Sequence, residues 1–159
     1  MGDKLDDRLD ERFMDLALQH AEKARTLGEV PVGAVVVDSA GNIAGVGFNQ
    51  PVSGADPTAH AEMIALREAA LRTGNYRLAG FTLYCTIEPC AMCAGAMVHA
   101  RIERLVYGAP DSRAGAAGSL YNVVDDPRLN HRIEVFPGVR GEQCRALIRE
   151  FFEKRRTTG

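Results

Sequence analysis

The chain has 159 residues, of which 46% are hydrophobic and 25% are charged, and its formal net charge is −2. This is the composition of an ordinary soluble globular protein, and the length suits a single domain over residues 1–159 with a full-sized core. A strongly basic nucleic-acid-binding protein is excluded, and so is a membrane-spanning one, because the longest apolar run, at residues 32–37, is too short to cross a bilayer.

The first half of the chain alternates between helical and strand patterns. Hydrophobic spacing predicts a helix at residues 6–27, which Gly28 would end. Two apolar runs at 32–38 and 43–49, separated by the turn sequence SAGN, predict a β-hairpin. A loop rich in Pro, Gly and Ser follows, and a second helix is expected at 59–73.

The second half continues this alternation. A strand is predicted at residues 82–87, a helix at 90–100 and a second strand at 104–109. A long irregular segment at 110–131 and a short strand at 132–136 follow. The clearest helical pattern comes last, where apolar residues recur at Cys144, Leu147, Ile148, Phe151 and Phe152. Strands that alternate with helices predict an α/β fold in which one sheet carries helices on its faces.

Charge and cysteine usage suggest a location and a class of partner. Residues 1–98 carry 8 Lys or Arg and 13 Asp or Glu, whereas residues 99–159 carry 11 and 8. This asymmetry permits an anionic partner, although it also fits a solvated helix end. We recognise no signal peptide, and the 4 cysteines then suggest a reducing compartment, so we expect a cytoplasmic protein with no membrane association.

Cys90 and Cys93 follow Pro89 at the predicted start of a helix. Residues three apart lie on one helical face, and the positive helix N-terminus favours their thiolate forms. Such a pair could form a redox disulfide, bind a metal or pack in the core. A catalytic zinc ion takes three protein ligands and a water molecule, so a third ligand is needed.

His60 and Glu62 complete a recognisable motif. An H-x-E sequence followed by P-C-x-x-C is the signature of zinc-dependent nucleobase deaminases, and the chain contains HAE and then PCAMC. We therefore predict that His60, Cys90 and Cys93 bind one Zn²⁺. Because residues i and i+2 point to different sides of a regular helix, His60 must lie at or before the first helical residue to share a cavity with Glu62.

Glu62 is the expected catalytic residue. Zinc lowers the pKa of a bound water toward neutrality, and Glu62 would take the proton that this water loses. It would pass the proton to a ring nitrogen as the zinc-bound hydroxide attacks the amino-bearing carbon, and then help ammonia to leave. The predicted reaction is hydrolytic deamination.

The sequence resembles the bacterial tRNA-specific adenosine deaminases, within the zinc-dependent cytidine and deoxycytidylate deaminase superfamily. The matching stretches include DPTAHAEMIAL, NYRL, TIEPCAMCAGAMVHARI, GAPDSRAGAAGS and NH. Many deaminases share the zinc motif, whereas the GAPDSRAGAAGS loop and the later NH are more discriminating. The resemblance implies a three-layer α/β/α cytidine deaminase-like fold with a mixed five-stranded sheet, one Zn²⁺ per subunit and a homodimer.

The resemblance also implies a substrate and its contacts. The reaction would convert adenosine to inosine at the wobble position of a tRNA anticodon, so the partner would be an anticodon stem-loop. Asn49 would read the edge of the base. Pro51 and Asp111 would contact the flanking sugar and backbone. Asn130 and His131 would contact neighbouring nucleotides, and Arg155 would contact phosphates.

Several of these residues have ordinary structural explanations. Asn49 could cap a strand end, Asp111 could cap a turn, and His131 could be a satisfied surface histidine. Phe151 and Phe152 lie on the apolar stripe of the last helix, where they could pack in the core instead of stacking on bases. Three other functions stay open: a deaminase of guanine, cytosine or free nucleosides, a non-catalytic zinc-stabilised RNA-binding module, and a CxxC oxidoreductase.

Overall fold

The computed structural model describes residues 4–158, which form four helices and one five-stranded sheet. The helices are α1 (Lys4–Thr26), α2 (Ala61–Thr73), α3 (Ala91–Ala100) and α4 (Gly141–Thr158). The strands are β1 (Gly33–Val37), β2 (Ile43–Phe48), β3 (Thr82–Ile87), β4 (Arg104–Ala109) and β5 (Glu134–Pro137). Within residues 4–158, no helix is long and apolar enough to span a membrane.

The strand order of the sheet is β2-β1-β3-β4-β5. β1 is antiparallel to both β2 and β3, while β3, β4 and β5 are parallel to one another. The carboxyl ends of β2, β3 and β4 therefore meet the amino end of β1 at one edge, which we call the upper edge. The prediction of a mixed five-stranded sheet between two layers of helices is confirmed.

Two apolar clusters hold the three layers together. α2 and α3 cover one face of the sheet, where Val36, Leu83 and Leu105 are buried. α1 and α4 cover the other face, where Val35 and Val106 are buried. Successive strand residues point to opposite faces, so a strand covered on both sides is apolar throughout, as β1 is over its sequence GAVVV.

Glycines in β2 bring α2 unusually close to the sheet. A Cβ atom on Gly47 would collide with the carbonyl oxygen of Ala61 and would lie 2.9 Å from the amide nitrogen of Ala65. Gly45 is in the same situation against the next turn of the helix. The backbone of α2 thus rests directly on β2, and this contact places the first residue of the helix at the upper edge.

The helix starts differ slightly from those expected. His60 is the N-cap of α2 with an extended backbone (φ −75°, ψ 151°), so it lies before the helix, as a shared cavity with Glu62 requires. Cys90 is likewise the N-cap of α3 (φ −75°, ψ 175°) and lies outside the first turn, whereas Cys93 lies within it. The short strand expected at 132–136 is found at Glu134–Pro137, because the preceding residues still belong to the irregular segment.

A buried polar network anchors α1 to the other end of the sheet. Asp10 is only 7% exposed and accepts a hydrogen bond of 2.7 Å from the hydroxyl of Tyr84. The guanidinium of Arg104 completes the network with a 3.0 Å ion pair to Asp10. The carboxylate is therefore buried with both partners it needs.

The seating of α2 on β2 can be tested with Gly47→Ala. The added methyl group would push against the helix backbone, which cannot move as a flexible side chain would, so we expect a loss of roughly 1–3 kcal/mol in the free energy of unfolding. Urea denaturation followed by circular dichroism measures this change. An unchanged or higher midpoint would contradict the close contact.

Candidate active site

Three potential metal ligands meet at the upper edge. His60 comes from the start of α2, and Cys90 and Cys93 come from the start of α3, which follows β3. Their donor atoms all lie within 4.8 Å of one another. The Nδ1 atom of His60 is 3.5 Å from the sulfur of each cysteine.

The local sequence explains why His60 points to this place. Asp56 accepts hydrogen bonds of 2.8 Å from both the backbone N–H and the hydroxyl of Thr58, which makes a tight turn after the loop. The N–H of His60 then donates to the carbonyl of Thr58 at 2.8 Å. The helix begins only at Ala61, so the extended His60 directs its imidazole toward α3.

The cluster fits a zinc ion in both chemistry and spacing. One imidazole nitrogen and two thiolate sulfurs are donors that zinc prefers, and they leave the fourth tetrahedral position open for water. With Zn–N and Zn–S bonds of about 2.0 and 2.3 Å, tetrahedral angles put the nitrogen and sulfur roughly 3.5 Å apart. The observed separations of 3.5 Å match that value.

The electrostatics of the two cysteines favour a cation. Hydrogen bonds from Cys93 and then from His60 lower the pKa of Cys90 to about 3, so this sulfur is a thiolate at neutral pH. The hydrogen bond to Cys90, together with burial, raises the pKa of Cys93. The thiolate of Cys90 therefore keeps Cys93 protonated, and both sulfurs can be thiolates only when a positive charge lies between them, which a divalent metal supplies.

Glu62 shares the cavity of these ligands. Its side chain is only 3% exposed, and its carboxylate interacts with His60, Cys90 and Cys93. Burial is the main reason that the pKa of Glu62 is raised above its usual range. A buried carboxyl group with a raised pKa is suited to accept and return protons near neutral pH.

Asn49 lies beside Glu62 at the end of β2. Its side-chain oxygen accepts a hydrogen bond of 2.9 Å from the N–H of Ala61, the first residue of α2. The sequence left open that Asn49 caps a strand end; its oxygen instead caps the start of helix α2. Within residues 4–158, the side-chain nitrogen of Asn49 donates no hydrogen bond, so it is available to a ligand in the cavity.

A buried carboxylate shapes the loop that contains Pro51. Glu29 is 2% exposed and accepts hydrogen bonds from the backbone N–H groups of Val52 and Ser53, at 3.2 and 2.6 Å. Burial opposes ionisation of Glu29, but the hydrogen bonds from Ser53 and Val52 outweigh it and lower its pKa. Pro51, which is partly buried, directly precedes these two residues and is held in place by the same hydrogen bonds.

A second buried carboxylate, Glu88, holds the loop that contains Asp111. Glu88 accepts hydrogen bonds from that loop, including one of 3.0 Å from the N–H of Asp111. The carboxylate of Asp111 itself accepts from the N–H groups of Arg113 and Ala114, so it caps a turn. Sequence analysis did not identify Glu88, although a glutamate at the end of an apolar strand, directly before Pro-Cys, was a usable signal.

A groove of about 610 Å³ separates this loop from α4. Its lining includes Asp111, Arg113, Phe152 and Arg156. Phe152 is 44% exposed, so only its neighbour Phe151, at 7%, belongs to the core. Arg155 does not line the groove, since its guanidinium lies 5.2 Å from the ring centre of Phe151.

Asn130 and His131 lie at the opposite end of α3 from the metal ligands. The side-chain oxygen of Asn130 is 3.3 Å from the guanidinium of Arg101, which caps the carboxyl end of α3. His131 lies 2.7 Å from the carbonyl oxygen of Ile102, so it is a satisfied histidine. A helix of this length is about 15 Å long, and these two residues are therefore separate from the cavity.

The remaining cysteines are structural. Cys85 and Cys144 are buried, at 0% and 1% exposure, in the two apolar clusters. All four cysteines of the chain lie in the described segment, and none of them forms a disulfide. Only Cys90 and Cys93 are therefore placed for metal binding.

The zinc-binding region of the cytidine and deoxycytidylate deaminases matches residues 7–109 of this chain. The match spans β1 to β4 and includes the His60, Glu62, Cys90 and Cys93 cluster. The fold and the cluster are thus those of a zinc-dependent deaminase, and the cofactor is zinc.

Longer similarities specify the branch of this family. A tRNA-specific adenosine deaminase of Haemophilus influenzae is 53% identical over 96% of this chain and 88% of its own length. The corresponding protein of Bacillus subtilis is 44% identical over 92% of this chain and 91% of its own length. A structure solved in a study of A-to-I editing by tRNA:A34 deaminases superposes with a TM-score of 0.82, at 40% identity, over 86% of this chain and 98% of that one. The chain belongs to the family of the tRNA-specific adenosine deaminases.

The metal assignment predicts a clear difference between the cysteines. We expect the wild-type protein to bind one zinc ion per chain and Cys93→Ala to bind almost none, because two ligands cannot retain the ion. Elemental analysis after dialysis measures the metal content.

Cys144→Ala is the matched control, since this cysteine is equally buried but lies in the cluster on the other face of the sheet. It should keep its zinc. If both variants kept one zinc ion per chain, the metal would be held elsewhere.

Proposed function

We propose that this protein deaminates adenosine to inosine at the wobble position of a tRNA anticodon, with zinc as cofactor. The observation that carries the proposal is the cluster of one imidazole, two sulfurs and one buried carboxylate at the upper edge. The relatives that share nearly the whole chain are tRNA-specific adenosine deaminases, which supports the choice of substrate.

In this proposal, His60, Cys90 and Cys93 hold the zinc ion. When bound there, zinc supplies an activated water molecule as the nucleophile. Glu62 accepts a proton from that water and delivers it to N1 of the adenine ring, which makes C6 more electrophilic. Glu62 then moves a second proton to the departing amino group. Adenosine and water thereby become inosine and ammonia.

Asn49 orients the base in this proposal. Its oxygen is committed to the start of α2, so its nitrogen is the group that can donate to an acceptor on the base edge. The same hydrogen bond ties the position of Asn49 to that of Glu62, because both residues adjoin Ala61. Base recognition and proton transfer would therefore share one rigid element.

The RNA surface extends from the cavity into the groove beside α4. A flipped base leaves its neighbours unstacked, and exposed aromatic rings with nearby arginines are suited to hold them. Phe152 provides the ring, and Arg113 and Arg156 provide positive charge around it. Pro51 and Asp111 would contact the flanking sugar and backbone.

Arg155, Asn130 and His131 have more distant roles in this proposal. Arg155 is exposed over Phe151 and would attract phosphates from the outer side of α4. Asn130 and His131 would contact nucleotides that lie beyond the flipped base, because they lie at the far end of α3. These three residues would therefore affect RNA affinity more than the chemical step.

A homodimer is also part of the proposal, and α3 offers the surface for it. Met92, Gly95, Ala96 and His99 lie on one helical face at spacings of three and four residues, and this face is half-buried to exposed. Small apolar residues allow two helices to approach closely. We place the protein in the cytoplasm, where its two zinc-binding thiols would stay reduced.

The substrate is tested by incubating the purified protein with an unmodified tRNA that has adenosine at the wobble position, and separately with guanine, cytosine and free adenosine. We expect ammonia release and an adenosine-to-inosine change in the anticodon loop only with the tRNA. Turnover of the free compounds without turnover of tRNA would establish a small-molecule deaminase instead.

Glu62→Gln separates catalysis from binding in the same assay. Loss of the proton carrier should lower kcat by about 10²- to 10⁴-fold while zinc content and RNA affinity remain. Glu103→Gln, an exposed carboxylate at the opposite edge of the sheet, is the control and should match the wild type. A zinc-binding but non-catalytic module would show no turnover in any of the three proteins.

The groove predicts that Arg156 matters more for RNA binding than Arg155. Arg156→Ala should weaken binding of an anticodon stem-loop and reduce the slope of log affinity against log salt by about 0.7, the value for one contact with single-stranded RNA. Arg155→Ala should have a smaller effect on the affinity and on the salt slope. Filter binding at several salt concentrations measures both quantities. A larger effect of Arg155→Ala would show that the RNA binds along Arg155 and not along the groove.

The dimer surface is tested with Gly95→Glu. A Cβ atom on Gly95 would meet nothing within 4 Å, so the chain can fold with this side chain, but a second copy packed there would meet a buried charge. Sedimentation velocity should show monomers for Gly95→Glu and dimers for the wild type. Leu71→Glu, at an 84% exposed position on α2, should remain dimeric.

A further inference from the structure

Glu88 is a buried carboxylate that the proposed chemistry does not use. It is 2% exposed and lies between the end of β3 and the metal ligand Cys90. Buried carboxylates are uncommon unless partners satisfy them, so the identity of its partners indicates its role.

All the hydrogen bonds that Glu88 accepts come from one loop. The backbone N–H groups of Asp111, Ala117 and Ser119 donate at 3.0, 2.9 and 3.0 Å, and the hydroxyl of Ser119 donates as well. Among residues 4–158, no member of the metal cluster hydrogen-bonds to this carboxylate. Glu88 is therefore directed at loop 110–119 and away from the zinc ligands.

The loop is shaped to receive this carboxylate. A Cβ atom on Gly115 would collide with the carboxyl group of Glu88 and with the carbonyl oxygen of Asp111, so only glycine fits there. On either side of the carboxylate, Ala116 donates a 2.8 Å hydrogen bond to the carbonyl of Pro89, and Glu88 donates one of 2.8 Å to Ala109. The irregular loop thus folds around a single charged group.

We propose that Glu88 is a positioning residue for the RNA substrate. It fixes loop 110–119 against the segment that carries Cys90 and Cys93, so that Asp111 and the wall of the groove face the nucleotide beside the reacting base. This inference rests on the proposed function. It predicts that Glu88 determines how well RNA is held and has little influence on proton transfer by Glu62.

The principal variant is Glu88→Gln. It keeps the size of the side chain but turns an amide N–H₂ toward N–H donors, so part of the loop loses its acceptor. For an anticodon stem-loop RNA we expect KM to rise about tenfold, as for the loss of a hydrogen bond to a charged group, with kcat nearly unchanged. The zinc content should stay at one ion per chain.

Amide hydrogen exchange provides a readout that does not depend on turnover. The N–H groups of Ala117 and Ser119 should exchange faster in Glu88→Gln, while those of α3 keep their wild-type rates. Glu134→Gln, the same substitution at an exposed position on β5, is the matched control and should leave exchange and KM unchanged.

Ser119→Ala carries the test if Glu88→Gln folds poorly. It removes one of the donors to the carboxylate and should raise KM in the same direction but by less. Adding Ser119→Ala to Glu88→Gln should change KM less than adding Ser119→Ala to the wild-type protein, because both substitutions act on one hydrogen-bond network.

Three results would overturn the inference. One is a fall in kcat with unchanged KM, another is loss of zinc from Glu88→Gln, and the third is unchanged exchange at Ala117 and Ser119. If the wild-type protein does not act on RNA at all, the proposed function fails separately, and the exchange and zinc measurements still decide whether Glu88 holds the loop.

Discussion

The structure depends on one constraint: a histidine and two cysteines from separate helix starts must place their donor atoms at a single point. Two features of the fold satisfy this constraint. The glycines of β2 let the backbone of α2 rest on the sheet, and the turn at Pro89 starts α3 directly after β3. His60 and Cys90 both lie just before their helices, in extended backbone, so their side chains converge.

Around this centre, charges that would be unfavourable alone are each given a partner. The thiolate of Cys90 is stabilised by its neighbours, and the pair of sulfurs favours a divalent cation. Glu29 and Glu88 are buried, but backbone N–H groups of two loops satisfy them. Burial raises the pKa of Glu62, whereas at Glu29 and Glu88 the hydrogen bonds outweigh the effect of burial and lower the pKa.

The metal centre and the substrate surface are built in different ways. The zinc-binding cluster is local to two helix starts and is shared across a broad deaminase family. The surface that would select RNA is assembled from two loops and the last helix, which come from distant parts of the chain.

The sequence alone was sufficient for the α/β architecture, the order of the elements and the metal cluster. Those features depend on short-range patterns: strand and helix periodicity, and two motifs of three and five residues. Helix starts were uncertain by one or two residues, because hydrogen bonds such as that between Asn49 and Ala61 decide where a helix begins. The long segment expected to be irregular is organised by Glu88, which lies outside it, and the periodicity within the segment does not indicate this partner.

Only the tertiary structure decided which residues surround the cavity. Phe151 and Phe152 lie on the same predicted stripe, yet one is buried and the other borders the groove, since α4 contacts the sheet along a narrower face than the stripe. The structure also separated Asn130 and His131 from the zinc ligands by the length of α3. A motif states which donor atoms are available, whereas their neighbours depend on how distant segments pack, which no local pattern encodes.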